Sequence, residues 1–186
     1  LVSLTASRLG PKHLLTAWVE LLALTEADPD TRRRAVVVGR DPDSRAPAGL
    51  AVALGPVDPA VAHAALLELV ALRDAGLRAP LPLALRTSAS FARRADRSSV
   101  GNALTWAGRD WRSDRDAPVP GENRDREHEQ VWGVDAPLAT LLGWTAPEGL
   151  AAGPLAARLR PTDESAVFGA LARLVWRPLL AAEGRP

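Results

Sequence analysis

The sequence contains no cysteine, which excludes a disulfide scaffold, a thiolate zinc site and a cysteine nucleophile. It also has no apolar run of about 18 residues, so no membrane-spanning helix is predicted. No basic segment followed by an apolar one opens the chain, and no secretory signal peptide is predicted. Small secreted domains usually depend on disulfides, and we therefore expect a cytoplasmic protein without membrane contact.

Methionine is absent as well, and the chain opens at Leu1 in an apolar stretch. We therefore expect a fragment of a larger subunit. Its 186 residues, 47% of them hydrophobic, suit one domain over residues 1–186 with its own core. The net charge of +1 offers nucleic acid no bulk attraction. Lys12 is the only lysine among 23 basic residues, and arginine binds phosphate or carboxylate with two parallel hydrogen bonds.

Periodicity and turn residues predict an α/β fold with a small mixed sheet and helices around it. Two strands, 35–39 and 50–54, read as an antiparallel hairpin after a first strand at 1–5. Prolines 80 and 82 make 79–85 extended but not a central strand. Residues 143–161 look irregular, and Pro178 should kink the last helix. The predicted helices span 11–27, 58–76, 88–95, 99–107, 125–132 and a final segment capped by Thr162.

Residues 108–124 are polar, charged and interrupted by Pro118 and Pro120. A segment of this composition is typical of a surface loop, and we expect it to be mobile.

Few residues have the pattern of a catalytic site. The three histidines, His13, His63 and His128, are not at metal-ligand spacing. No phosphate-binding glycine loop or GxSxG motif occurs. Two carboxylate pairs are left as candidates for general acid–base chemistry, although each also suits a turn or a helix cap: Asp41 with Asp43, and Glu122 with Asp125.

Tryptophan and arginine cluster between residues 106 and 115. Arg109, Trp111 and Arg112 could stack on a single strand and bind its phosphates, or anchor a partner protein. We expect Trp106 in the core and Trp111 exposed. The run Arg32–Arg33–Arg34 before a strand suits a phosphate backbone, an acidic partner or a merely solvated strand end.

Five segments, in order, resemble the C-terminal domain of the gamma subunit of exodeoxyribonuclease V, the RecC family. Residues 7–18 (SRLGPKHLLTAW) resemble its SRLKxKHxLxAW pattern, and 72–82 (LRDAGLRAPLP) its LxxGLxxPLP pattern. PVDP at 56–59 precedes a leucine-rich helix, as it does there. NALTW at 102–106 and GENRD at 121–125 resemble its AW and GExxD motifs. Each motif alone is weakly specific, but the five share one order and spacing over nearly the whole chain.

The resemblance implies a PD-(D/E)xK nuclease-like fold that is catalytically silent. Active relatives carry a DxK triplet on a core strand and QxxxY on the next helix. Here the acid position holds Ser3 and the lysine position Thr5, while Leu14 and Trp18 replace the glutamine and the tyrosine. Since such a nuclease needs carboxylates for magnesium and a lysine near the nucleophile, we expect no catalytic residue, metal or cofactor in this domain.

The family further implies a place in a helicase–nuclease that processes double-strand breaks for recombinational repair. The implied partners are DNA, through the parent complex, and RecB-like and RecD-like helicase subunits, which would hold the ATP and magnesium. Two other functions stay open. One is an active metal-dependent nuclease using Asp41, Asp43, Glu122 or Asp125; the other is a protein-interaction module without DNA contact.

Overall fold

A mixed sheet of four strands and a series of helices form the chain in the computed structural model, confirming the α/β class. The structure describes residues 1–42, 44, 48–113, 119–151, 153, 155–161 and 163–184. The chain divides into two compact units, residues 1–70 with 178–186, and residues 71–177. Two helices, α2 (Pro59–Gly76) and α8 (Ala166–Ala182), run in sequence across the boundary between the units.

The first unit contains the sheet, in the order β1-β2-β3-β4. Strand β1 (Val2–Arg8) pairs in parallel with β2 (Ala35–Arg40), and the crossover that parallel pairing requires is helix α1 (Pro11–Ala27). Strand β3 (Gly49–Leu54) is antiparallel to β2, which confirms the predicted hairpin. A short strand, β4 (Glu183–Gly184), pairs antiparallel with β3 and was not predicted.

Helix α1 has the predicted bounds because its ends and its apolar face are both coded locally. Pro11 occupies the first turn, where its missing N–H costs nothing. The positions Leu14, Trp18, Leu21 and Leu22 recur at helical spacing, and all four are buried. Trp18 is only 1% exposed, which confirms it as a core residue.

The second unit is built on helices α3 (Leu85–Ala95), α4 (Val100–Trp111), α5 (Arg126–Trp132), α6 (Leu138–Leu142) and α7 (Glu148–Ala151). Glu122–Arg124 forms a 3₁₀ turn. Phe91 and Phe168 meet edge to face at the centre of its core, with ring centroids 5.4 Å apart. Small residues let the helices approach, and the core consists of Ala84, Phe91, Ala103, Ala107, Trp111, Ala136, Leu141, Phe168 and Ala172.

Several predicted bounds need correction in this unit. Helix α3 begins three residues before the predicted start at Ser88, and α4 continues to Trp111, so 108–111 are helical and not loop. Helices α6 and α7 were missed because they are too short for a clear period. Pro178 lies inside α8, which continues beyond it. Thr162, Asp43 and residues 114–118 lie outside the described residues, and mobility near 108–124 remains a prediction.

Within the described parts of the chain, every helix is too short or too polar to cross a membrane.

We predict that Trp18→Ala lowers the free energy of unfolding by roughly 3–5 kcal/mol, because truncating a buried aromatic residue leaves a cavity. Denaturant unfolding followed by circular dichroism measures this loss. Val19→Ala, at a neighbouring side chain that is 40% exposed, is the control and should cost less than about 1 kcal/mol. Equal losses in the two variants would contradict a core role for Trp18.

Candidate functional site

Ser3 and Thr5, which the sequence comparison placed at the acid and lysine positions of a nuclease, lie on β1, at one end of the strand order of the sheet. Ser3 and Thr5 share one face of the strand, since residues two apart point the same way, and both are half-buried. Val2 and Leu4, on the other face, are 68% and 76% exposed. The half-buried face of β1 thus carries the hydroxyl groups of Ser3 and Thr5, and residues 1–11 contain no Asp, Glu or Lys.

The hydroxyl of Thr5 belongs to a hydrogen-bond chain that links the end of β1 to the start of α1. Its Oγ1 lies 2.7 Å from Ser7 Oγ, which lies 3.2 Å from His13 Nε2. Gly10 N–H donates to His13 Nδ1 at 3.2 Å, so Nδ1 is the acceptor and Nε2 carries the proton when the ring is neutral. Thr5 is thereby a structural residue, with its hydroxyl committed to the turn before α1.

Thr5 also packs against the neighbouring strand. A Cβ added at Gly39 of β2 would lie 2.8 Å from Thr5 Cγ2 and 3.2 Å from the carbonyl oxygen of Ser7. Such a contact is too close, and glycine is therefore required opposite Thr5. On α1, Leu14 and Trp18 are 5% and 1% exposed. The positions that would be the glutamine and the tyrosine thus hold apolar core side chains.

The three arginines before β2 differ in their contacts, and Arg33 forms hydrogen bonds with the end of α1. Arg33 donates from Nη1 to the carbonyl oxygens of Leu24 at 3.1 Å and Asp28 at 2.7 Å, and from Nη2 to the Asp28 carboxylate. Its hydrogen bonds, with that of Thr31, lower the pKa of Asp28. Arg33 therefore closes the C-terminal end of α1. Arg32 and Arg34 are exposed.

Glu122 is not a solvated carboxylate; it is 3% exposed and caps the first turn of α3. The backbone N–H of Arg86 donates to its Oε1 at 2.7 Å, and the N–H and hydroxyl of Thr87 both donate to its Oε2 at 2.7 Å. A negative charge at a helix N-terminus is favourable, and three otherwise orphaned donors are satisfied. Asp125, by contrast, is exposed, so the two acids do not form a pair.

Residues around Glu122 anchor the same segment to α4 and α5. Trp111 Nε1 donates to the Ala136 carbonyl at 2.8 Å, and His128 Nδ1 lies 2.7 Å from the Glu122 carbonyl. A Cβ at Gly121 would lie 2.5 Å from the carbonyl oxygen of Trp111, so only glycine fits this close approach. The GENRD motif is therefore a packing and capping motif in this structure.

The predicted exposures of Trp106 and Trp111 were both wrong. Trp111 is fully buried in the helical core, whereas Trp106 is 38% exposed on α4. The reason is helical phase: 103, 107 and 111 share the buried face, and 102, 105, 106, 109 and 112 the exposed one. Arg109 and Arg112 are exposed, and their contact with DNA or a partner stays a prediction.

Sequence reasoning missed Arg94, on α3, whose guanidinium carbon lies 4.0 Å from the centre of the Trp106 ring. Arg109 lies 4.4 Å from the same centre. The stripe of exposed residues on α4 could have been recognised from its 3–4 residue spacing, but the arrival of Arg94 from another helix could not.

Glu122, one of the acids named for the nuclease alternative, already has hydrogen-bond partners at both oxygens, in the first turn of α3. In the ranges that the structure covers, no three carboxylates or histidines gather as metal ligands. Asp41 is half-buried, and Asp43 lies outside the described residues.

We predict that Trp111→Ala lowers the free energy of unfolding by about 3–5 kcal/mol. Trp106→Ala, five residues earlier on the same helix, should cost about 1 kcal/mol or less, because it removes a half-exposed ring. Chemical denaturation of both variants tests the assignment. A larger loss for Trp106→Ala would contradict the helical phase described above.

We predict that Glu122→Ala lowers the free energy of unfolding by about 2–4 kcal/mol, since three buried donors lose their acceptor. Glu122→Gln retains one acceptor oxygen and should lose less. Asp125→Ala is the matched control and should change stability by less than about 0.5 kcal/mol. The cap would be disproved by a Glu122→Ala protein as stable as the Asp125→Ala protein.

Comparisons with known proteins agree with the resemblance in the sequence. The family model described as RecC C-terminal domain matches residues 1–96. The chain is 37% identical over 183 residues to the RecBCD enzyme subunit RecC of Mycobacterium tuberculosis, and 38% identical over 187 to that of Mycolicibacterium smegmatis. Each match covers 98% of this chain and 15% of the relative. The chain therefore spans about 15% of the length of these relatives, and it belongs to the RecC C-terminal domain family.

Proposed function

We propose that this chain is a non-catalytic domain of a RecC-like subunit in an exodeoxyribonuclease V complex. There it scaffolds the helicase subunits and guides DNA during double-strand break repair by homologous recombination. The observation that carries the proposal is a match along 98% of the chain to relatives named RecBCD enzyme subunit RecC. Those relatives are several times longer, which suits a domain that acts as part of a large subunit.

Catalytic silence is supported by the residues on β1 and α1. No Asp, Glu or Lys stands between residues 1 and 11, and the Thr5 hydroxyl is bonded to Ser7. The parallel β1–α1–β2 unit suits the strand and helix that carry DxK and QxxxY in active nucleases. We therefore propose a degenerate nuclease-like fold, and we assign ATP and magnesium to the partner subunits.

The partners that we propose are DNA and RecB-like and RecD-like helicase subunits, in the cytoplasm where bacterial DNA lies. Exposed Arg109 and Trp106 on α4, and exposed Arg112 directly after it, support contacts with an anionic partner. The alternative of an active nuclease is disfavoured because Glu122 is a helix cap. The alternative of a module without DNA contact is distinguished from the proposed function by the DNA-binding experiment described below.

We predict no magnesium-dependent cleavage of forked DNA by this chain above a protein-free control, and the same result for Glu122→Gln. Cleavage by the wild-type chain that Glu122→Gln abolishes would establish the nuclease alternative. The assay is a gel-based time course with end-labelled DNA.

Scaffolding is tested in the assembled complex. We expect a full-length subunit lacking this segment to lose co-purification of at least one helicase subunit. Full assembly and full DNA unwinding by the truncated subunit would contradict the scaffold role. Binding of forked DNA by this chain should weaken steeply with salt, since phosphate contacts release counterions. The absence of binding even at low salt would favour the module without DNA contact.

A further inference from the structure

Arg94, Trp106 and Arg109 form one surface cluster, which we call the arginine–tryptophan stack. The guanidinium carbons of Arg94 and Arg109 lie 4.0 Å and 4.4 Å from the centre of the indole ring. Such distances are those of cation–π contacts. Trp106 is 38% exposed, whereas Trp18, Trp111 and Trp176 are each at most 1% exposed. Trp132 and Trp144 are half-buried, so Trp106 is the most exposed tryptophan among the described residues, and it lies beside two cations.

The two cations have no anionic partner among the residues that the structure describes. Arg94 donates to Ser90, through its carbonyl oxygen at 3.4 Å and its hydroxyl at 3.3 Å. Among the residues that the structure describes, neither Arg94 nor Arg109 forms an ion pair. Each guanidinium therefore keeps most of its five N–H donors for a ligand, and stacking on the indole limits the freedom it would lose on binding.

The two helices that form the stack carry more basic than acidic residues. The exposed positions of α4 carry no acid, and Asp110 is half-buried. Asp96, after α3, is bonded by Arg177 through Nε and Nη2, and these bonds lower its pKa. Its charge is thereby compensated. On α3 and α4 the arginines therefore outnumber the acids, although the net charge of the chain is only +1.

We propose that the arginine–tryptophan stack is a contact site for a DNA strand, with the two guanidiniums on phosphates and the open part of the indole against a sugar or base. Arginine matches phosphate oxygens bidentately, and an aromatic ring beside cations is the arrangement that tracks single strands without reading sequence. The proposal rests on the proposed function, which brings DNA to this domain; an acidic protein surface is the competing partner.

Binding of a forked DNA with a fluorescent single-stranded arm tests the stack by anisotropy across a salt series. Combined Arg94→Gln and Arg109→Gln should weaken binding about tenfold or more and reduce the slope of log affinity against log salt by roughly 1.4–1.8, the share of two phosphates. Trp106→Leu should weaken binding about fivefold or more but leave the slope unchanged, because both charges remain.

The matched control is combined Arg126→Gln and Arg160→Gln, which removes two exposed arginines elsewhere. It should change affinity by less than about threefold, as expected of a long-range charge effect. Equal weakening in the control and stack variants would overturn the proposal, as would unchanged binding in both. Melting curves of every variant must superpose on the wild type, which separates lost contacts from lost folding.

Partner class is decided in the assembled complex by a photo-crosslinking amino acid in place of Trp106. Crosslinks to DNA support the proposal, and crosslinks to a helicase subunit, or to neither, overturn it. If the complex carrying this residue still assembles and unwinds DNA, the absence of a crosslink to DNA contradicts the proposed contact at the stack and leaves the proposed function of the domain intact. Failure of the wild-type complex to assemble would instead contradict the proposed function.

Discussion

The hydrogen bonds between the Glu122 carboxylate and the first turn of α3 join residues 35 and 36 positions apart. They fix where α3 begins, because Arg86 and Thr87 find their acceptors at Glu122 and not within their own helix. They also bury a charge, which is tolerable only when its oxygens are fully bonded. Further contacts hold the neighbouring residues in place. Gly121 packs closely against the backbone of Trp111, and His128 hydrogen-bonds to the Glu122 carbonyl oxygen.

This cap gives Glu122 a structural role in place of a catalytic one. Glu122 and Asp125 looked like a pair that could serve acid–base chemistry, yet one is buried under three donors and the other is exposed. The same holds on β1, where Thr5 takes part in a turn that orients His13 at the start of α1. Thr5 and Glu122 were both compared with catalytic residues in the sequence analysis. In the structure, each forms hydrogen bonds at the N-terminal end of a helix. Trp106 and Arg109 on α4, by contrast, are exposed.

The arginine–tryptophan stack and the buried Trp111 are two consequences of one helix. Trp111 occupies the face of Ala103 and Ala107, where small residues let neighbouring helices approach and leave room for one large ring. Trp106 falls on the opposite face and meets Arg109 one turn later. A shift of one position in the helical phase would bury Trp106 and expose Trp111. Local composition does not set this phase, and the predicted exposures of both residues were therefore wrong.

The sequence by itself determined the family, the α/β class, the bounds of α1 and α2 and the absence of a carboxylate or lysine on β1. These depend on residue identity and on local periodicity, and both can be read along the chain. Only the tertiary structure decided which tryptophan is buried, that Arg33 closes α1, that Glu122 caps α3, and that Arg94 reaches Trp106. Each of these joins residues that are distant in sequence or turns on which helix face meets a core. No local pattern encodes such partners, because they are set by how the elements pack.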